Sequence, residues 1–416
     1  MKETSLKKGT IFLFISQIFS ILTAYLLNFY LVRLVSPKEY GDYSIIVYIL
    51  SLIALILSST IPQASSKLVS EHGIDLRKII SESFRLQSIL VVLITIVYTA
   101  LIPQIGFILN DSSLKEYMYS SLVMIPVYGY YILFSRIENG KGNYLSQSLM
   151  DGLVNFAKLS LIFIIFLLFG KNTNNAIIGF SISPIISMVL GFILIKPILK
   201  KENEYTKDFL LFSIPFFLFS VLTNFSIKSG LFIIKYFNFS GDSVGYFAAY
   251  STLSQILGFF PTALGLALFP KVSKTYSYRH LDGLKKVLNK SIILVFLITI
   301  TPSLFLIIFK EKIVSFLFSV QYLEEISIFN SLIIGAAFFF IYNFLLTILS
   351  GIKKQNFSMI ISIVTFLLTL VSSIILVPKF GMIGAPYSII TSSALGIVIS
   401  IIYLYNFVLK EGLTND

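Results

Sequence analysis

The sequence has no cysteine, no tryptophan and only two histidines, and charged residues make up just 12% of its 416 positions. Without cysteine there is no disulfide framework, no thiolate metal site and no cysteine nucleophile. His72 and His280 stand in separate polar, loop-like segments, which argues against a histidine metal cluster. The Gly-x-x-x-x-Gly-Lys-Ser/Thr phosphate loop is missing, so ATP is not hydrolysed by that route, and no cofactor site is indicated. Polar stretches are short throughout, so no part of the chain outside the apolar runs is large enough for an independent enzyme.

Long hydrophobic runs take the place of all these. Hydrophobic residues reach 56%, with a mean hydropathy of +0.88. A bilayer core needs roughly 20 apolar residues of helix. Runs that meet this length lie near 10–34, 43–66, 84–109, 117–136, 145–169, 177–198, 209–236, 244–269, 288–309, 327–349, 357–377 and 382–409. They lack the in-out alternation of barrel strands, so they read as helices. The first run is too long for a signal-peptide core and no small-residue cleavage site follows, so we read it as an uncleaved span.

The net charge of +12 reflects topology and not nucleic acid, because the basic residues sit in the short connections. Connections on the N-terminal side carry about 22 Lys and Arg, against about 7 on the other side. The positive-inside rule therefore puts both termini in the cytoplasm. The basic linkers around 67–85, 196–208 and 271–290 read as amphipathic helices on the cytoplasmic surface. Prolines within the spans, such as Pro215, Pro261, Pro302 and Pro386, read as structural kinks.

The two halves resemble each other. Gly41 in EYGDYSIIV pairs with Gly245 in SVGYFAAYS, and Lys67 in SSKLVS with Lys271 in FPKVSK. Gly140 in ENGKGN pairs with Gly351 in SGIKKQN, and Gly179 in IIGFS with Gly384 in MIGAP. The pairs keep their order at separations of about 204 to 211 residues, as a duplication predicts. The expected fold is an all-α integral membrane protein. About twelve transmembrane helices form two pseudo-symmetric six-helix lobes, 1–199 and 200–416, around a central cavity, an architecture typical of transporters.

Several of these segments resemble a known family. The opening LVRLVSPKEYGDYSIIVYILSLIALIL with IPQASSKLVSE, and the later VPKFGMIGAPYSIITS preceded by SGIKKQN, are similar to polysaccharide-biosynthesis flippases. These are oligosaccharide-unit translocases of the O-antigen type in the multidrug/oligosaccharidyl-lipid/polysaccharide exporter superfamily. The resemblance implies movement of a polyprenyl-linked oligosaccharide from the cytoplasmic to the outer leaflet without ATP, in a prokaryotic cell membrane. It implies membrane lipids as surroundings and a polysaccharide polymerase or glycan ligase as downstream partner; we expect a monomer.

Ionisable residues inside spans are costly and point to function. On the fifth span Asp151, Asn155 and Lys158 follow at i, i+4 and i+7, and on the seventh Asn224, Lys228 and Lys235 form a second stripe. Arg33 closes the first span, which also carries Asn28. Lysine and arginine pair strongly with phosphate oxygens, so Arg33, Lys158, Lys228, Lys235, Asn28, Asn155 and Asn224 are the candidate substrate-binding residues, and Asp151 is the candidate ion-coupling group. Asp151 and Lys158 also fit a pair that merely neutralises itself, and Arg33 and Lys235 fit lysine- and arginine-type snorkelling to the interface. The alternative function is a cation-coupled drug or metabolite exporter of the same superfamily, which calls for a carboxylate-rich cavity. An enzyme reading has only Glu39 and Asp42 as a close acidic pair in the first outer loop.

Overall fold

A computed structural model describes residues 3–70, 75–197, 222, 224–237, 239, 241–278, 281–352 and 354–413. Among these, regular structure is helical throughout. The chain forms two units, Met1–Val221 and Leu222–Asp416. The boundary expected at 199/200 and the first half of the seventh span lie outside the described residues.

The first unit contains α1 (Glu3–Leu34), α2 (Pro37–Ser59), α3 (Ile61–Ser70), α4 (Leu76–Ile108), α5 (Ser113–Ser121), α6 (Met124–Gly140), α7 (Tyr144–Phe169), α8 (Thr173–Ile182) and α9 (Ile185–Ile195). These make six apolar stretches long enough to cross a bilayer, because α2–α3, α5–α6 and α8–α9 each form one stretch in two pieces. Each interruption has a proline at or just past it: Pro62, Pro126 and Pro184. Proline has no N–H, and its ring crowds the carbonyl four residues back, which weakens the helix there and allows it to break. The freed carbonyls find other donors, as a membrane interior requires. The Ser183 hydroxyl donates to Phe180 O at 2.7 Å, and Ile125 N donates to Leu122 O at 3.2 Å.

In the second unit a helical segment α10 (224–237) precedes α11 (Ser243–Ser254), α12 (Phe259–Ser277), α13 (Leu281–Ile308), α14 (Lys310–Leu317), α15 (Ser327–Gly351), α16 (Gln355–Phe380) and α17 (Gly384–Leu413). The stretch Ser243–Tyr276 is again broken, by a 3-10 turn at Gln255–Gly258 just before Pro261. Pro302 lies inside the unbroken α13, and Pro386 falls in the first turn of α17, where a missing N–H costs nothing. The last apolar stretch, Asn356–Asn406, holds α16 and α17, each long enough for its own crossing.

Each unit is organised around its fourth span. Ser113–Gly140 is 61% buried along its apolar window and Ser327–Gly351 is 72% buried, the two highest values among the stretches. Around α6 the aromatic rings of Phe84, Phe134 and Phe192 interlock, with Phe134 and Phe192 edge to face at 4.8 Å. Gln87, fully buried, donates to Gly129 O at 2.9 Å and Leu57 O at 3.3 Å and so ties α4 to α6 and α2. Outer faces are apolar instead of charged, as with Ile89, Val92, Leu93 and Ile96 on α4, which suits a lipid surround.

Three of the repeat-forming glycines sit at close approaches. A Cβ on Gly179 would lie 3.0 Å from the Ile162 backbone of α7, one on Gly384 would lie 2.4 Å from the Leu376 carbonyl of α16, and one on Gly140 would lie 2.5 Å from Ser66 O of α3. The basic stretch 271–290 departs from expectation. Its described residues form the last turns of α12 and the first turns of α13, so the charge caps two long helices and makes no separate surface helix. Likewise Lys67 belongs to the end of α3 and Arg77 to the start of α4, whose N-terminus is capped by Asp75.

Candidate functional site

Each unit contains a cavity with a single lysine in its wall. In the first unit α2 contributes Ser51 and Ser58, α6 contributes Met124 and Tyr128, and α7 contributes Val154 and Lys158. Phe180, Ser183 and Pro184, at the break between α8 and α9, complete a space of about 290 Å³. Three of its walls therefore come from interrupted spans, where a cavity can form without strain because the helices are already parted. The Lys158 ammonium stands 4.6 Å from the centre of the Phe180 ring, a cation–π distance. Hydroxyls of Ser51, Ser58, Tyr128 and Ser183 supply the remaining polarity.

The cavity of the second unit, about 280 Å³, is lined by Asn224, Ile227 and Lys228 of α10, by Gln255, Pro261 and Thr262 at the broken eighth span, and by Phe339, Phe340, Asn343, Phe344 and Thr347 of α15. Ser51 and Ser58 of the first cavity stand at the repeat spacing from Gln255 and Thr262 of the second, so the two spaces occupy corresponding places in their units. The lysines do not correspond. One rides on the fifth span and the other on the seventh, which is the repeat of the first.

The remaining predicted residues have other engagements. The carboxylate of Asp151 accepts hydrogen bonds from Tyr131 Oη at 2.6 Å and Ser135 Oγ at 2.8 Å, both on α6. No ion pair joins it to Lys158 among the described residues. Asn155 donates to Ser20 Oγ at 2.7 Å and to Asp151 O at 2.8 Å, fastening α7 to α1. Asn28 donates to Ala24 O and accepts from Tyr40 Oη at 2.9 Å, a tie between α1 and α2. Arg33 is exposed in the last turn of α1, and Lys235 is 7% exposed near the end of α10; neither lines either of these two cavities. The structure thus brings Asn224 and Lys228 together in one cavity, leaves Lys158 with hydroxyls and a ring in the other, and ties Asn155 to Asp151 on α7.

Glu39 closes a capping box with Ser36 at the start of α2, accepting from Ser36 N at 2.9 Å, and Asp42 is buried. Glu39 thus serves the helix start. Sequence reasoning did not find Tyr128, Phe180 or the cavity serines, because serine and aromatic residues are common in every span. It also assigned Arg136 to the surface charge, whereas this residue is half-buried one position past Ser135, and its Nε has no hydrogen-bond partner.

Comparison with known proteins adds a family to this geometry. A family model described as polysaccharide biosynthesis protein matches residues 6–276, and a second, described as MatE, matches residues 220–375. The capsular polysaccharide biosynthesis protein CapF of Staphylococcus aureus is 26% identical over 403 residues, covering 95% of this chain and 98% of its own. Among solved structures, an inward-facing multidrug resistance MATE family transporter of the MOP superfamily aligns with a TM-score of 0.82 at 16% identity, covering 95% of this chain and 96% of its own. The lipid II flippase MurJ in an inward closed conformation aligns with a TM-score of 0.76 at 18% identity, over 97% and 90% of the two chains.

Proposed function

Because the chain belongs to the polysaccharide biosynthesis protein family, and is thus a multi-pass membrane transporter of the multidrug/oligosaccharidyl-lipid/polysaccharide exporter superfamily and not an enzyme, we propose that its cargo is a polyprenyl-(pyro)phosphate-linked oligosaccharide. The cargo moves from the cytoplasmic to the outer leaflet by alternating access and serves cell-surface polysaccharide assembly. Both termini lie in the cytoplasm of a prokaryotic cell, an orientation supported by the threefold excess of basic residues on their side.

The lining of the two cavities carries this reading. Each offers one ammonium group with hydroxyls, amides or aromatic rings, and neither is lined by a carboxylate. A phosphate-bearing headgroup gains charge-assisted hydrogen bonds from the lysines, while sugar hydroxyls are met by Ser51, Ser58, Tyr128 and Ser183 on one side and by Asn224, Gln255 and Asn343 on the other. The polyprenyl tail stays in lipid throughout. An organic cation would meet unfavourable charge in both spaces, which weighs against the exporter alternative despite the MatE match. Asp151 supplies ion coupling from behind the first cavity, where its two hydroxyl donors hold the carboxylate in place.

The test is transbilayer movement of a fluorescent polyprenyl-pyrophosphoryl oligosaccharide in liposomes containing the protein. Wild type should move it, and Lys158→Ala and Lys228→Ala should each slow movement at least tenfold, as expected for loss of a charged hydrogen bond worth about 1.5–3 kcal/mol. Movement undiminished by both substitutions removes the lysines from the site. Export of an organic cation with no oligosaccharide movement overturns the assignment.

A further inference from the structure

A third and larger cavity lies in the second unit, away from Lys228. It is a cleft of about 440 Å³ between α12 and α13, next to the turn that joins them. Leu264, Leu268 and Lys271 contribute from α12, at spacings of four and three residues, and Lys286, Lys290 and Leu294 from α13, at spacings of four. Such spacings keep each trio on one helix face. Both faces run from lysine near the turn to leucine farther in. Seven residues of α-helix separate Leu264 from Lys271, so the apolar wall lies roughly 10 Å deeper than the mouth.

Lys271, Lys286 and Lys290 are exposed, and among the described residues none of them pairs with a carboxylate. Between positions 271 and 290 the sequence has six basic residues and one acidic residue, Asp282. The first unit treats the corresponding ends of its helices differently. At the start of α4, the counterpart of α13, Arg85 binds the buried Glu82 at 2.9 Å, so basic charge there is neutralised internally. The hydroxyls within the cleft are also committed: Thr275 Oγ1 donates to Lys271 O and Ser291 Oγ to Val287 O. Beyond the lysines, Leu264, Leu268 and Leu294 make the wall of the cleft apolar.

We propose that this cleft holds the phosphate headgroup of an anionic phospholipid of the surrounding bilayer. The phosphate sits among Lys271, Lys286 and Lys290, and an acyl chain lies against Leu264, Leu268 and Leu294. Basic pockets at the ends of membrane helices match this amphiphile because charge and apolar surface are met at the same depths as in the lipid itself. Placing the lipid in the inner leaflet rests on the orientation proposed above; binding does not, and it is measured without transport, so failure of the oligosaccharide reading would leave this result intact.

The experiment is native mass spectrometry of the purified, delipidated full chain with added phosphatidylglycerol or phosphatidylcholine. Phosphatidylglycerol should be retained by wild type and by the control K310Q/K312Q, and phosphatidylcholine should not. In K271Q/K286Q/K290Q affinity should fall about fivefold per lysine removed, roughly a hundredfold in all. The single variant K286Q, expected to show one such step, guards against misfolding of the triple variant. Equal retention of both lipids, or full retention by the triple variant, overturns the proposal. Displacement of phosphatidylglycerol by an equal concentration of polyprenyl phosphate or of inorganic phosphate also overturns it, assigning the cleft to the cargo or to a free anion.

Discussion

Asp151 is a carboxyl group inside a membrane span whose hydrogen-bond partners among the described residues are neutral hydroxyls. Two hydroxyls, from Tyr131 and Ser135, hold one carboxylate oxygen, and no lysine or arginine completes an ion pair with it among the described residues. A half-buried carboxyl in this position depends on its donors, since a charge-assisted hydrogen bond lost there is only partly replaced. Tyr131→Phe should therefore destabilise the protein by about 1.5–3 kcal/mol. Asp151→Asn keeps an acceptor in the same place and should cost less than about 1.5 kcal/mol, while abolishing any dependence of transport on a proton or sodium gradient. Thermal unfolding in detergent and gradient-driven flux in liposomes separate the two effects. A gradient dependence that persists in the asparagine variant removes Asp151 from coupling.

At the scale of helices, the duplication explains which glycines could be read from sequence. Gly179 and Gly384 stand out in the paired sequences because each lets the sixth span of its half touch the backbone of the fifth. Gly384→Ala meets a carbonyl that cannot move without its helix and should cost about 1–3 kcal/mol. Gly351→Ala meets only a Val272 methyl at 3.3 Å and gains helix propensity of up to about 1 kcal/mol, so it should be neutral or stabilising. Equal effects at the two positions in thermal unfolding would contradict this account. Span positions and the duplicated plan were legible because hydrophobic length and recurring glycines are properties of sequence. The interruptions at Pro62, Pro126, Pro184 and Pro261 were not, since Pro103, Pro270 and Pro302 sit in helices that continue. Whether a proline bends or breaks a span depends on what else can satisfy the freed carbonyl, and Ser183 does so from the neighbouring position. Lys158 and Lys228 could be picked from their depth alone, but their companions Phe180, Tyr128 and Gln255 come from other spans and needed the packing to be seen.

For the whole molecule, the cysteine-free sequence makes orientation directly measurable. A single cysteine introduced anywhere is a unique thiol. Lys274→Cys at the end of α12 and Lys312→Cys in α14 are both exposed positions, on opposite sides of the membrane in the proposed topology. In intact cells a membrane-impermeant maleimide should label the cysteine at 312 and spare the one at 274; the reverse pattern inverts the topology.

The lysines of the two cavities also carry a chronology. At the moment of duplication both halves were identical, so every charge existed twice or not at all. Today the stretch of α16 corresponding to Lys158, residues 363–369, is uncharged, and the first span has alanine, Ala24, at the repeat position of Lys228. Cavities lined at matching places by Ser51 and Gln255, or by Ser58 and Thr262, are inherited from the common half. The cations are not: each half has gained its lysine, or lost the other's, since the two were joined. In a duplicated chain the shared scaffold of the two halves is thus the older part and the unshared charge the younger.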